Sequence, residues 1–67
     1  MIVNLNVPAI KKLMAEKRMT GVELARLTGI SRQNISSILR RGTCYIKTGS
    51  LLADALGVEI EEIWKED

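Results

Sequence analysis

The stretch that most limits what this chain can fold into is residues 20–42, TGVELARLTGISRQNISSILRRG. Two short helical patterns meet there across a three-residue break. Leu24 and Ala25 give the first pattern, residues 21–28, an inward face, and Ile35, Ile38 and Leu39 recur at helical spacing in the second, residues 32–41. Gly29 stands where the first helix must stop, because glycine takes φ > 0 without steric cost. Ile30 is apolar and plugs the turn, and Ser31 can accept from the free amides that open the second helix. Upstream, Thr20-Gly21-Val22-Glu23 has the T-x-x-E pattern of a capping box. Ala25 is small where two steeply crossing helices need a close approach.

That spacing is the one used by the DNA-binding helix-turn-helix. The stretch resembles the Cro/phage-repressor (XRE-like) helix-turn-helix family, whose members often read LAxxxGIS where this chain has LARLTGIS at residues 24–31. Ala55-Leu56-Gly57-Val58 matches the family's usual passage into its last helix, and the resemblance extends over about residues 10–64. It implies an all-α, five-helix, phage-repressor-like domain with the helix-turn-helix at helices 2 and 3. Two departures stand out. Relatives commonly carry Gln at the position of Gly21, where it touches a phosphate and braces the reading helix. They often end that helix in Glu-Asn-Gly, where this chain has Leu39-Arg40-Arg41-Gly42.

Sixty-seven residues suit one domain, residues 1–67. Tyr45 and Trp64 are the only aromatics, so the core must come from Ile, Leu, Val, Met and Ala. Lone Cys44 cannot form an internal disulfide and reads as a small apolar core residue, which favours a reducing, cytoplasmic setting. No apolar run approaches the roughly 20 residues of a membrane span, and no signal peptide is visible. With no histidine, a Ser-His-Asp or Cys-His site and a His-containing zinc site are excluded. No Gly-rich phosphate loop is present. The expectation is a non-enzyme with no cofactor and no metal.

The net charge of +2 conceals an asymmetry. Residues 1–47 hold nine Lys or Arg against Glu16 and Glu23, whereas residues 48–67 hold six acids against Lys65. Charge alone would equally describe a solvated surface, but a basic body coinciding with a helix-turn-helix suits a polyanion.

In chain order, residues 1–6 alternate apolar and polar and read as an extended N-terminal arm, or as one half of a two-chain ribbon. Asn6 caps a first helix that tolerates Pro8 in its first turn and runs to about residue 18, with Ile10, Leu13 and Met14 inward. Lys11, Lys12, Lys17 and Arg18 read as a solvated face. Residues 43–47 read as a loop with Tyr45 and Ile46 turned inward. Thr48 is expected to cap a fourth helix at about residues 49–56, with Leu51, Leu52, Ala55 and Leu56 apolar. A fifth helix at about residues 60–65 places Ile60, Ile63 and Trp64 on one side, Trp64 as a core plug or a partner surface.

Reading duplex DNA requires donors at base edges and groups that clamp phosphates. Arg32 and Gln33 occupy the first turn of helix 3, with Ser36 and Ser37 a turn further on. Arg can pair with guanine O6 and N7, and Gln with adenine N6 and N7. The resemblance places Arg32, Gln33 and Ser37 at base-reading positions. Thr20 and Gly21 at the start of helix 2, with Asn34, Arg40, Arg41, Thr43 and Lys47, are candidates for phosphate or minor-groove contact; the amides at a helix start can hold a phosphate. The resulting expectation is a sequence-specific double-stranded-DNA-binding transcriptional regulator, a repressor acting as a homodimer on a two-fold operator. The alternatives are an antitoxin-like DNA-binding protein with a toxin partner, and a helical interaction module without DNA binding.

Overall fold

A computed structural model describes residues 1–65. In order, it contains strand β1 (Ile2–Asn4), helices α1 (Val7–Glu16), α2 (Gly21–Thr28) and α3 (Arg32–Arg41), strand β2 (Thr43–Tyr45), helix α4 (Ile46–Leu56) and a closing 3-10 turn (Ile60–Glu62). The all-α, five-helix expectation is thereby corrected: the described residues form four α-helices and a two-stranded antiparallel sheet, and the fifth helix reduces to the 3-10 turn.

The sheet is where the sequence reading and the fold part. The segment taken as a free arm pairs within the chain, Ile2 with Tyr45, Val3 with Cys44 and Asn4 with Thr43. Backbone rungs from Leu5 N–H to the Gly42 carbonyl and from Ile46 N–H to the Met1 carbonyl, both 2.8 Å, bracket this ladder. Alternation then sorts the side chains. Val3 and Leu5 enter the core, while Ile2 and Tyr45 share the outer face and are 63% and 65% exposed. Tyr45 is therefore turned outward, not inward, because its strand neighbour Cys44 takes the inner position. Val3 and Leu5 are already buried in their own chain, so neither offers a free apolar face for a two-chain ribbon.

The same strand shortens the last helix. The Asn6 amide donates to the Ile63 carbonyl and the Lys65 amide to the Asn4 carbonyl, both at 2.8 Å, and Leu5 bridges Trp64. Lys65 is thereby committed to the N-terminal segment, while Trp64 N–H still donates to the Ile60 carbonyl at 3.1 Å. A single turn resists such competition poorly, because helix nucleation fixes several residues for one hydrogen bond. Trp64 ends half-buried against the core.

Helix ends follow local chemistry. The Asn6 side chain accepts from Ala9 N–H at 3.1 Å and opens α1, with Pro8 in the first turn. α1 closes at Glu16, two residues early, because Arg18 adopts φ 53° and Met19 N–H reaches back to the Met14 carbonyl at 2.8 Å. α4 starts at Ile46, three residues early, so Thr48 is inside the helix and does not cap it. Its first amide is already satisfied by the Met1 carbonyl, so no side-chain cap is required.

One core unites these elements. Ile10, Leu24, Leu52, Leu56 and Ile63 are fully buried, each contributing roughly 1.5–3 kcal/mol over an exposed position. Leu51, expected inside, is 42% exposed; α4 instead buries Gly49, Leu52, Ala53 and Leu56. At Gly49 an added Cβ would stand 3.1 Å from Ile60 Cδ1 and 3.6 Å from both Cys44 Sγ and Val3 Cγ2. The missing side chain lets α4 press against the sheet and the 3-10 turn.

Candidate nucleic-acid interface

The turn between α2 and α3 is held by a set of local bonds. Gly29 has φ 75° and donates its N–H to the Ala25 carbonyl at 2.9 Å. Thr28 Oγ1 donates to the Leu24 carbonyl at 2.8 Å and accepts from Ile30 N–H at 3.2 Å. Ser31 Oγ accepts from Asn34 N–H at 3.2 Å and opens α3. Thr28 is a site residue that the helix-turn-helix spacing does not single out. Its position one residue before a helix-ending glycine, where a hydroxyl can bond backward to the preceding turn, was the available signal. The expected capping box forms only by half: Thr20 Oγ1 accepts from Glu23 N–H at 3.2 Å, but the Glu23 carboxylate turns to Arg26. The hydrogen bond from Arg26 holds that carboxyl below the usual carboxylate range. Both side chains face solvent, so the pair adds little stability.

Leu24, Ile35 and Ile38, all buried, fix α3 against the rest of the domain and leave its other face to solvent. Ten residues give α3 a length of about 15 Å, and a helix of this kind enters a major groove about 12 Å wide. Arg32, Gln33, Asn34 and Ser36 are exposed along it. Ser37 differs, being half-buried and accepting from Arg40 Nη2 at 3.4 Å. Arg40 and Arg41 sit in the last turn, where positive charge is favoured by the helix dipole.

Beyond Gly42, the residues expected on a loop stand on regular structure. Thr43 begins β2 and Lys47 lies exposed in the first turn of α4. Thr20 and Gly21 lie apart from them, at the start of α2. No atom approaches within 4 Å of where a Gly21 Cβ would be.

Ser31, Asn34, Arg41 and Thr43 line one groove of about 640 Å³ between α3 and the sheet. Its opposite wall carries Ile2, Tyr45 and Thr48, none of which the sequence reading placed at the site. Only the pairing of β1 with β2 brings Ile2 there, and no local motif announces it. Cys44 lines the groove floor, and burial pushes its thiol above the ordinary thiol range, partly offset by the nearby Arg41 charge. Residues 24–53 hold five Lys or Arg and no acid. Asp54, Glu59 and Glu62 instead share a hollow at the other end of α4 from Lys47. Two further acids counted in the sequence reading, Glu66 and Asp67, lie outside the described residues. No helix among the described residues is long and apolar enough to cross a membrane.

A capped, glycine-broken helix pair with an exposed, acid-free second helix defines a DNA-binding helix-turn-helix. The family model of the Cro/C1-type HTH DNA-binding domain matches residues 9–65, and the chain belongs to that family. No curated protein and no solved structure matches it at the significance required.

Proposed function

We propose that residues 1–67 act as one domain that regulates transcription by binding a specific duplex site. It would act as a cytoplasmic repressor, with two copies on a two-fold operator. The observation that carries this reading is the placement of Arg32 and Gln33, exposed in the first turn of a helix whose opposite face is locked in the core. That turn meets base edges when such a helix enters the major groove. Ser36 is exposed one turn along; Ser37 joins it by releasing Arg40. Asn34, Arg40, Arg41, Thr43 and Lys47 then run along the backbone, with Thr20 and Gly21 offering the start of α2. Two subunits are required because a few phosphate contacts alone hold non-specific DNA at only about 10⁻⁴ to 10⁻⁶ M.

The test separates reading from clamping. Selection from a random duplex pool gives the preferred site, a palindrome with half-sites about one helical turn apart. On that site, Arg32→Ala and Gln33→Ala each lose about 1–3 kcal/mol while affinity for scrambled duplex holds. Arg41→Ala and Lys47→Ala weaken both duplexes alike and shallow the salt slope by about 0.9 per contact and subunit. Uniform loss from Arg32→Ala and Gln33→Ala would remove α3 as the reading helix. No loss from any of the four would leave the interaction-module reading in its place.

A further inference from the structure

The sheet places an exposed apolar pair at the acid-free stretch of residues 24–53. Ile2 and Tyr45 stand side by side on the outer face of the ribbon. They form one wall of the groove whose other wall is α3, with Arg41 lining that wall and Lys47 following two residues after Tyr45. In an antiparallel ladder, hydrogen-bonded and open pairs alternate. The rungs at Leu5–Gly42 and Met1–Ile46 make Val3–Cys44 a bonded pair. Ile2–Tyr45 and Asn4–Thr43 are then open pairs, and the amides of Thr43 and Tyr45 point away from β1. One wall therefore combines outward N–H donors, the Thr48 hydroxyl and two apolar side chains, and the wall opposite supplies a guanidinium.

We infer that this groove seats one sugar–phosphate strand of duplex DNA, with Tyr45 and Ile2 packing on deoxyribose faces and Thr48 and the ribbon amides meeting the phosphates between them. The inference rests on the DNA-binding reading above and extends it to residues outside the helix-turn-helix. Charge selects the occupant. With five Lys or Arg and no acid over residues 24–53, a second copy of the same ribbon would bring like charges together, whereas a polyanion is attracted. Deoxyribose accounts for the apolar pair, which a bare anion would not require. Among the described residues no buried polar side-chain atom lacks a partner, so the groove holds no orphaned group that calls for a small polar ligand. β1 thereby becomes a positioning element: without it, Ile2 is absent and Tyr45 has no partner strand to hold it in register.

The experiment uses the full chain with the pool-selected duplex and its scrambled counterpart. Tyr45→Ala and Thr48→Ala are each expected to weaken both duplexes by roughly three- to tenfold, the scale of one lost polar contact for Thr48 and of a partly buried apolar surface for Tyr45. Ile2→Asp should weaken both at least as much, by adding a like charge beside the phosphates. Hydroxyl-radical footprints should lose protection at sugars flanking the α3 contact in Tyr45→Ala and keep it elsewhere. Because Ile2 and Tyr45 are exposed, thermal melts should match the parent, which separates the effect from misfolding. The inference is overturned if Tyr45→Ala and Ile2→Asp bind as the parent while Arg41→Ala loses affinity. It is also overturned if half-site affinity holds and only cooperativity is lost, which would assign the ribbon to a second copy. If Arg32→Ala and Arg41→Ala bind as the parent too, the DNA-binding reading itself fails and this inference with it.

Discussion

Truncation of Leu5 tests whether the N-terminal strand is part of the folded core. Leu5 is 4% exposed in the central cluster, so Leu5→Ala removes a buried side chain and leaves a cavity, at a cost of about 2–5 kcal/mol. Ile2, three residues earlier on the opposite face, is 63% exposed, and Ile2→Ala should stay within about 0.5 kcal/mol of the parent. The comparison matters because total stability at this chain length is only about 3–10 kcal/mol. Deleting residues 1–5 removes Val3 as well as Leu5, roughly 3–6 kcal/mol of burial, together with the ladder to β2. The deletion should therefore be largely unfolded at 25 °C. Urea melts followed by far-ultraviolet circular dichroism give the two substitution values, with a common slope confirming comparable transitions, and the ellipticity of the deletion without urea reports how much of it is folded. A Leu5→Ala midpoint equal to that of Ile2→Ala, or a deletion that melts with the parent, would refute the placement of β1 in the core.

Three further outcomes follow from the geometry. Gly29→Val should lose at least about 1 kcal/mol in a urea melt, from backbone strain alone, because φ is 75° and no atom lies within 4 Å of the added Cβ. Cys44, buried and with its thiol pushed upward by desolvation, should react with iodoacetamide near pH 8 far more slowly in the folded chain than in urea. Equal rates would place the thiol outside the ribbon–core contact. Gly21→Gln meets open space at the first position of α2, so it should raise the melting midpoint, by about 0.5–1 kcal/mol in stability, and tighten binding to specific and scrambled duplex alike. Unchanged affinity for both duplexes would show that the added side chain reaches no phosphate, since a neutral amide would tighten binding without altering the salt slope.

Local chemistry made the helix-turn-helix legible. The Thr20 and Ser31 caps, the left-handed Gly29 and the buried Leu24, Ile35 and Ile38 each depend on neighbours within a few residues, so residue type and spacing were sufficient. The outward face of α3 followed from the same periodicity, which is why Arg32, Gln33 and Ser36 could be named as exposed from sequence alone. Ser37 shows the limit: its half-burial and its bond from Arg40 depend on rotamer choice one turn away.

The sequence by itself determined where helices start and stop wherever a side chain does the capping, and which of their faces is apolar. It also determined the segregation of charge along the chain. Only the tertiary structure decided the roles of residues 1–6, 43–48 and 60–65. Ile2-Val3-Asn4 can be an arm, a two-chain ribbon or an in-chain strand with identical local preferences. The choice rests on a pairing across some forty residues, whose closure entropy is offset only when Val3, Leu5 and Cys44 meet the core. That pairing also turned Tyr45 outward, started α4 early by satisfying the Ile46 amide from Met1, and placed residues 4–6 to bond with Ile63 and Lys65 and to bridge Trp64. These three corrections trace to the one strand, because a backbone hydrogen bond between distant segments leaves no periodic trace in either of them.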